Sequence, residues 1–273
     1  MSTHVIFRYP GGKQKVAKQI VEAVRPFVSD TYHDVCVGGG SVLCEMAVAM
    51  PNVKLYANDL DPNISSFWSL FQAENLGYWD EFFQLLSQKP TIKLFNHLRA
   101  TPPRSVVERA YYGLFFNRTT FSGIQKGSPI GGATQQSKYT VDCRYNYLTL
   151  RRNIEYYRPI FYGRLEVSSE DMVTYVEKIY GESAIYLDPP YWGEGKKLYR
   201  FFPSATGHQQ LSEALRKRSN WVLSYDSCDE VKALYSWANI TSLYANYTMH
   251  GKKTAHRLRE ELLITPPCRP PVA

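Results

Sequence analysis

The run from His33 to Asp61 constrains this chain most. His33-Asp34-Val35-Cys36-Val37 reads as a buried strand. It passes straight into Gly38-Gly39-Gly40, and Ser41 stands where a helix N-cap belongs, opening a helix through Met50. Val53 to Ala57 is a second apolar strand, closing on Asn58-Asp59-Leu60-Asp61-Pro62. Strand, glycine turn, helix and strand in that order make a βαβ unit of a doubly wound, Rossmann-like α/β fold. Gly38, Gly39 and Gly40 allow a ligand to approach the backbone closely. Asp59, at the end of the next strand, is placed to accept hydrogen bonds from ribose hydroxyls. Asp61 is a second candidate for that role, and equally a helix cap before Asn63. A nicotinamide site follows the same logic, but its spaced GxGxxG fits three adjacent glycines less well.

The same rhythm returns at both ends. Residues 5–13 form a strand-like run ending in Pro10-Gly11-Gly12-Lys13, on its own a turn followed by a surface charge. Val16, Ile20, Val24 and Phe27 then recur at helical spacing, with Pro26 near the end. Residues 170–180 carry a helical stripe, and Ala184 to Leu187 is a short apolar strand. A helix over about 208–218 and strands over 221–225 and 261–265 complete the core. We divide the chain into a catalytic core, 1–64 and 166–273, and an inserted, mostly helical subdomain, 65–165. From Asn117 to Arg164 that insert holds eight basic side chains against Asp142 and Glu155, with six tyrosines interleaved. Basic groups neutralise phosphates and aromatic rings stack on bases. A solvated basic face with core tyrosines has the same composition.

Composition excludes several classes. At 273 residues and 44% hydrophobic, the chain can bury a large core; its net charge of +7 favours anionic partners. Five cysteines, at 36, 44, 143, 228 and 268, form no CxxC pair, and the six histidines show no ligand spacing. Neither a disulfide framework nor a metal site is expected. The first residues lack a signal-peptide run and no stretch is long and apolar enough for a bilayer, so a cytoplasmic protein is expected.

Asp188-Pro189-Pro190-Tyr191 is the sharpest chemical feature. It follows a strand, where open α/β sheets bind ligands. An exocyclic aromatic amine is a poor nucleophile, because its lone pair is delocalised into the ring. Acceptors on its two N–H groups favour tetrahedral nitrogen and stabilise the charge that develops there. The Asp188 carboxylate is one acceptor. The Pro189 carbonyl is another, held extended by the two prolines. Tyr191 can stack on the ring. An Asp-Pro turn with Tyr191 as a packing residue is the plainer alternative.

Taken in order, Arg8-Tyr9-Pro10-Gly11-Gly12-Lys13, Gly38-Gly39-Gly40-Ser41, Asn58-Asp59 and Asp188-Pro189-Pro190-Tyr191 resemble the Dam-type DNA adenine-N6 methyltransferases over nearly the whole chain. Residues 117–123, Asn-Arg-Thr-Thr-Phe-Ser-Gly, are similar to that family's target-recognition region. The resemblance implies S-adenosyl-L-methionine (SAM) as methyl donor. It places Tyr9, Lys13, Asp59 and Asp188 around that cofactor, and the insert on double-stranded DNA. The target adenine would be flipped into the pocket at Asp188–Tyr191. Where the family usually carries an aromatic residue two positions before the glycines, this chain has Cys36, expected to line the cofactor pocket as a small buried hydrophobe.

Asn117, Arg118, Lys126, Lys138 and Arg144 are candidate DNA contacts. So are Lys196 and Lys197, in a glycine-flanked loop after Tyr191, although a solvated loop would look the same. The basic stretch from Tyr247 to Arg259 reads as a second hairpin beside the cleft. The alternatives are a non-catalytic DNA-binding relative and an enzyme acting on RNA adenine. Glutamine methyltransferases more often carry Asn where this chain has Asp188, which argues against them.

Overall fold

A computed structural model describes residues 4–9, 12–193, 199–246 and 258–267. Its seven strands are β1 (Thr31–Asp34), β2 (Lys54–Asn58), β3 (Leu165–Ser168), β4 (Ala184–Leu187), β5 (Trp221–Asp226), β6 (Asn239–Asn246) and β7 (Leu258–Thr265). They form one sheet in the order β3-β2-β1-β4-β5-β7-β6. The first five run parallel, and β7 is antiparallel to both its neighbours.

The apolar strands show why the sheet is covered twice. In β4, Ala184 and Tyr186 enter one hydrophobic cluster, while Ile185 and Leu187 enter the other. A strand buried on both faces reads as a continuous apolar run, without alternation. Helices α1 (Ala17–Val24), α2 (Ser41–Ala49), α3 (Pro62–Ser69), α6 (Val106–Thr119) and α7 (Tyr147–Phe161) share the first cluster, together with α4 (Trp79–Leu86) and α5 (Ile92–Ala100). Helices α8 (Met172–Lys178), α9 (Ala205–Arg216) and α10 (Asp229–Leu234) cover the opposite face. Ile20 and Val24 of α1 and Leu211 and Leu215 of α9 are all fully buried, as their spacing predicts. Each such side chain contributes about 1.5–3 kcal/mol.

The segment 65–165 shares this core. Phe67 and Trp68 of α3 pack on Phe71 and Phe161, and α6 crosses α3 closely. A Cβ on Gly113 would lie 2.7 Å from the Asn63 carbonyl oxygen, so the crossing requires glycine. Helix α7 packs on α2 and leads into β3. Arg164 fastens that junction, donating to the carbonyls of Ala47, Met50, Val53 and Ile160. One guanidinium thereby satisfies the open end of α2 and the entry to β2.

Several expectations differ from the structure; the strand expected over His33–Val37 is β1 at Thr31–Asp34, and Val35–Val37 lead into the glycine turn. Residues 4–9 join no sheet. Their backbone groups are met by side chains: Arg8 N–H donates to Asn117 Oδ1 (2.8 Å), Asn117 Nδ2 to the Arg8 carbonyl (2.9 Å), and Asn153 Nδ2 to the Val5 carbonyl (2.9 Å). Gly40, not Ser41, occupies the cap position of α2, with φ +66°. A Cβ there would fall 2.0 Å from Trp68 Cζ2. Strands β3 and β6 lie where the sequence shows no strand pattern.

Candidate active site

Strand β1 pairs with β2 on one side and β4 on the other, so chain direction switches sides at its carboxyl end. That is the switch point where open sheets bind ligands. Here a cleft with about 1260 Å³ of space, its open mouth included, is lined by the glycine turn, Asp34, Asp59, Asp61, Asp188 and Pro190.

The floor is an ion network. Lys13, 3% exposed, begins a short 3-10 turn. Its ammonium lies 2.7 Å from Asp188 Oδ1 and 3.3 Å from Glu261 Oε2. Burial alone would lower this ammonium, but facing Asp188, Tyr191 and Glu261 holds it well above lysine's ordinary value. Ser224 Oγ also donates to Asp188 Oδ1 (2.9 Å) and contacts the Tyr186 hydroxyl (2.8 Å). Both Asp188 contacts use Oδ1, leaving Oδ2 of this partly exposed carboxylate open to a ligand.

The acids around it are raised by burial. Asp34, 2% exposed, is pushed well above the usual carboxylate range by burial and then by Asp188 and Asp59. Its Oδ1 is buried without a partner. Asp59 is pushed up to about 7 by burial and by Asp61. Its two oxygens accept from Gly38 N–H (2.8 Å) and Asp61 N–H (2.9 Å), clamping the glycine turn to the end of β2. Asp61 caps α3 through Asn63 N–H (3.0 Å) and meets Arg200 Nη1 at 3.0 Å. Asn58, 1% exposed, donates to the Val35 and Glu170 carbonyls, holding three strand ends together.

SAM carries an ammonium, a sulfonium and a ribose diol. A cleft rich in carboxylates with an orphaned buried oxygen on Asp34 fits such a ligand. Cys36 lines this cleft. Burial, then Asp59 and Asp188, hold its thiol well above the ordinary value, so it stays protonated and unsuited to nucleophilic attack. The aromatic surfaces come from elsewhere: Tyr9 and Tyr199 line the cleft with ring centroids 6.5 Å apart and planes at 23°.

The expected site residues thus divide. Tyr9, Lys13, Cys36, the three glycines, Asp59, Asp188 and Pro190 converge on one cleft. Lys13 is no surface charge. Tyr191 stands behind the cleft, 2% exposed, with its hydroxyl 3.4 Å from Glu261 Oε1. Asn117 is 1% exposed, and the Arg118 guanidinium donates to the Ile6 and Val5 carbonyls. Both hold the N-terminal segment and are poorly placed for base contacts. Lys126, Lys138 and Arg144 are exposed, and Lys126 sits 6.0 Å from the Phe202 ring at the cleft. Lys196, Lys197 and the basic residues of 247–257 lie outside the described residues. Of the interleaved tyrosines, Tyr145 and Tyr157 are core, whereas Tyr139 and Tyr162 are exposed. Sequence reasoning missed Asp34, Tyr199, Arg200, Ser224 and Glu261. Asp34 did carry a signal, an acid inside an apolar strand just ahead of the glycines.

Among the described residues, no helix is long and apolar enough to cross a membrane and no side-chain cluster could hold a metal ion. No curated protein matches the sequence. Among solved structures, a precorrin-6y C5,15-methyltransferase from Geobacter metallireducens GS-15 aligns at 11% identity and TM-score 0.43, covering 94% of this chain and 92% of that one. A SAM-dependent O-methyltransferase from Thermotoga maritima aligns at 10% identity and TM-score 0.39, covering 93% and 65%. Likeness at those scores carries no argument about this chain. Residues 9–249 match the family model described as D12 class N6 adenine-specific DNA methyltransferase. With most of its length matched, from Tyr9 through the glycine turn and Asp188, the chain belongs to the D12 class N6 adenine-specific DNA methyltransferase family.

Proposed function

We propose that Asp188 and Pro189 present the N6 amine of a flipped-out adenine for methylation, with the cofactor over the glycine turn. The transfer of a methyl group from SAM to adenine N6 in DNA follows from family membership; the residue roles are our own reading. The observation that supports them best is that Lys13 and Ser224 both engage Asp188 through Oδ1, leaving Oδ2 for a ligand.

When bound, SAM supplies an electrophilic methyl group on a sulfonium centre. Asp188 Oδ2 accepts one N6–H and the Pro189 carbonyl the other. This draws the nitrogen towards tetrahedral geometry and frees its lone pair. Lys13 and Ser224 fix the carboxylate by its other oxygen, so the acceptor is preorganised. During transfer the positive charge developing on N6 would be met by Asp188, whose Oδ2 would take the excess proton and release it to solvent. Asp59 takes ribose hydroxyls. Asp34 faces the cationic part of the cofactor, with Asp61 and Arg200 closing that edge.

Double-stranded DNA is the substrate form we favour, read by exposed basic residues of the segment 65–165 acting as the target-recognition unit. Family membership and the Asp188 oxygen left over by Lys13 and Ser224 favour catalysis over a non-catalytic DNA-binding role. The test is Asp188→Ala. Methylation of adenine should fall by at least a thousandfold while DNA binding persists. Retained methylation would remove Asp188 from the proposed role.

A further inference from the structure

A second cavity lies apart from the catalytic cleft, and its lining is basic. His4, Arg118, Arg144 and Arg152 line it, with Asn146 and Thr149. Arg144 and Arg152 are exposed, whereas Arg118 is held rigidly by its bonds to the Ile6 and Val5 carbonyls. Among the described residues, none of these three guanidinium groups has a carboxylate partner.

The electrostatics run against stability. Burial, then repulsion from Arg8 and Arg144, pushes Arg118 down to about 10. Burial and Arg144 likewise lower Arg8. Asn146 is also the N-cap of the 15-residue helix α7, whose positive end adds to the same potential. Like charges gathered without a counter-charge repel one another, and an anion placed among them reverses the sign of that energy. Guanidinium groups suit phosphate in particular, through paired N–H donors.

Position ties the cavity to the reaction. Phe7 and Tyr9 line the catalytic cleft, while His4 and Val5 line the basic cavity. Val5 to Tyr9 spans at most about 14 Å of extended chain. A nucleotide in the cleft therefore has backbone phosphates within reach of the arginines.

We infer that the cavity between His4, Arg118, Arg144 and Arg152 seats a DNA backbone phosphate within a few nucleotides of the target adenine. The inference rests on DNA being the substrate and adds where its backbone is held. The seat is sequence-independent: it sets register and supplies affinity, and the reading of bases falls to other residues.

The test uses the full chain with Arg144→Ala/Arg152→Ala, both exposed positions whose loss should leave SAM affinity unchanged and, by relieving the repulsion, should not lower the melting temperature. DNA affinity is measured across a salt series. The double variant should bind about tenfold more weakly, with the slope of log affinity against log salt reduced by about 0.9 for each phosphate no longer neutralised. Arg144→Lys/Arg152→Lys should recover most of the slope. Wild-type affinity and slope in the alanine variant would overturn the inference. So would calorimetry in which inorganic phosphate binds the wild type and not the alanine variant while DNA binding is equal in both, since that marks a free-anion site. Failure of wild-type enzyme to form N6-methyladenine would instead sink the catalytic assignment and leave the salt-slope result standing.

Discussion

Lys13 to Met is the most informative single change. Lys13 is 3% exposed and Glu261 1% exposed, with Nζ 3.3 Å from Oε2 and 2.7 Å from Asp188 Oδ1. Removing the ammonium takes away the buried cation that faces the Glu261 carboxylate, whose Oε1 keeps the Tyr191 hydroxyl. Asp188 is less affected, because 24% of its side chain is exposed and water can reach it. Breaking a buried ion pair from one side costs about 3–5 kcal/mol. For a chain of this size about 2–4 °C of melting temperature is lost per kcal/mol, so the drop should be about 6–20 °C. Adding Glu261→Gln to Lys13→Met removes the buried negative charge that lost its cation, and the double variant should regain more than half of the loss. The assay is thermal unfolding of wild type, both single variants and the double variant, read as a double-mutant cycle. The coupling should be at least about 2 kcal/mol. A single variant melting within 1–2 °C of wild type, or strict additivity in the cycle, would refute the buried network.

Other expectations follow from the same geometry. Gly40→Ala combines left-handed strain of about 1–2 kcal/mol with a collision against the buried Trp68 ring; repacking adds about 1–3 kcal/mol. Gly40→Ala should therefore melt well below Gly39→Ala, whose Cβ meets Tyr9 at 3.2 Å. Equal melting temperatures would contradict this. Asp59 is raised from 3.8 to about 7 in the fold. The stability this protonated carboxyl lends is therefore complete below pH about 4 and lost as pH rises through about 7. The displacement is worth at most about 4 kcal/mol, and about 2 after allowance for the partly exposed side chain. Asp59→Asn should accordingly gain stability relative to wild type between pH 5 and pH 8, and parallel melting curves over that range would contradict it. Arg164→Ala, which strips four carbonyls of their donor, should lose about 2–4 kcal/mol in urea unfolding; a loss under 1 kcal/mol would show those carbonyls solvated.

How much of this was legible depends on sequence distance. Strand β4 matched its sequence reading residue for residue, because a short wholly apolar run ended by prolines leaves little choice. Strand β2 shifted by one residue for want of such a stop. Strand β6 escaped notice because an edge strand is paired on one side only, and its Asn, Thr and Ser residues imitate a loop. Residues 4–9 read as a strand, yet they join no sheet. What could not be seen was that Asn117, Arg118 and Asn153, more than a hundred positions away, satisfy their backbone in place of a ladder. The same distance hid what Asn117 and Arg118 do within the fold. A polar pair such as Asn117-Arg118 has the same composition whether it faces DNA or fastens the chain to itself. Lys13 and Glu261 meet only because β7 lies beside β5, a topology no local pattern encodes.

The central claim is methyl transfer to adenine in DNA. The direct measurement incubates the protein with double-stranded DNA and methyl-labelled SAM, digests the product and separates the nucleosides. Label should appear in N6-methyldeoxyadenosine alone and vanish in the Asp188→Ala variant. Label on cytosine, or label taken up only when RNA replaces DNA, would contradict the account.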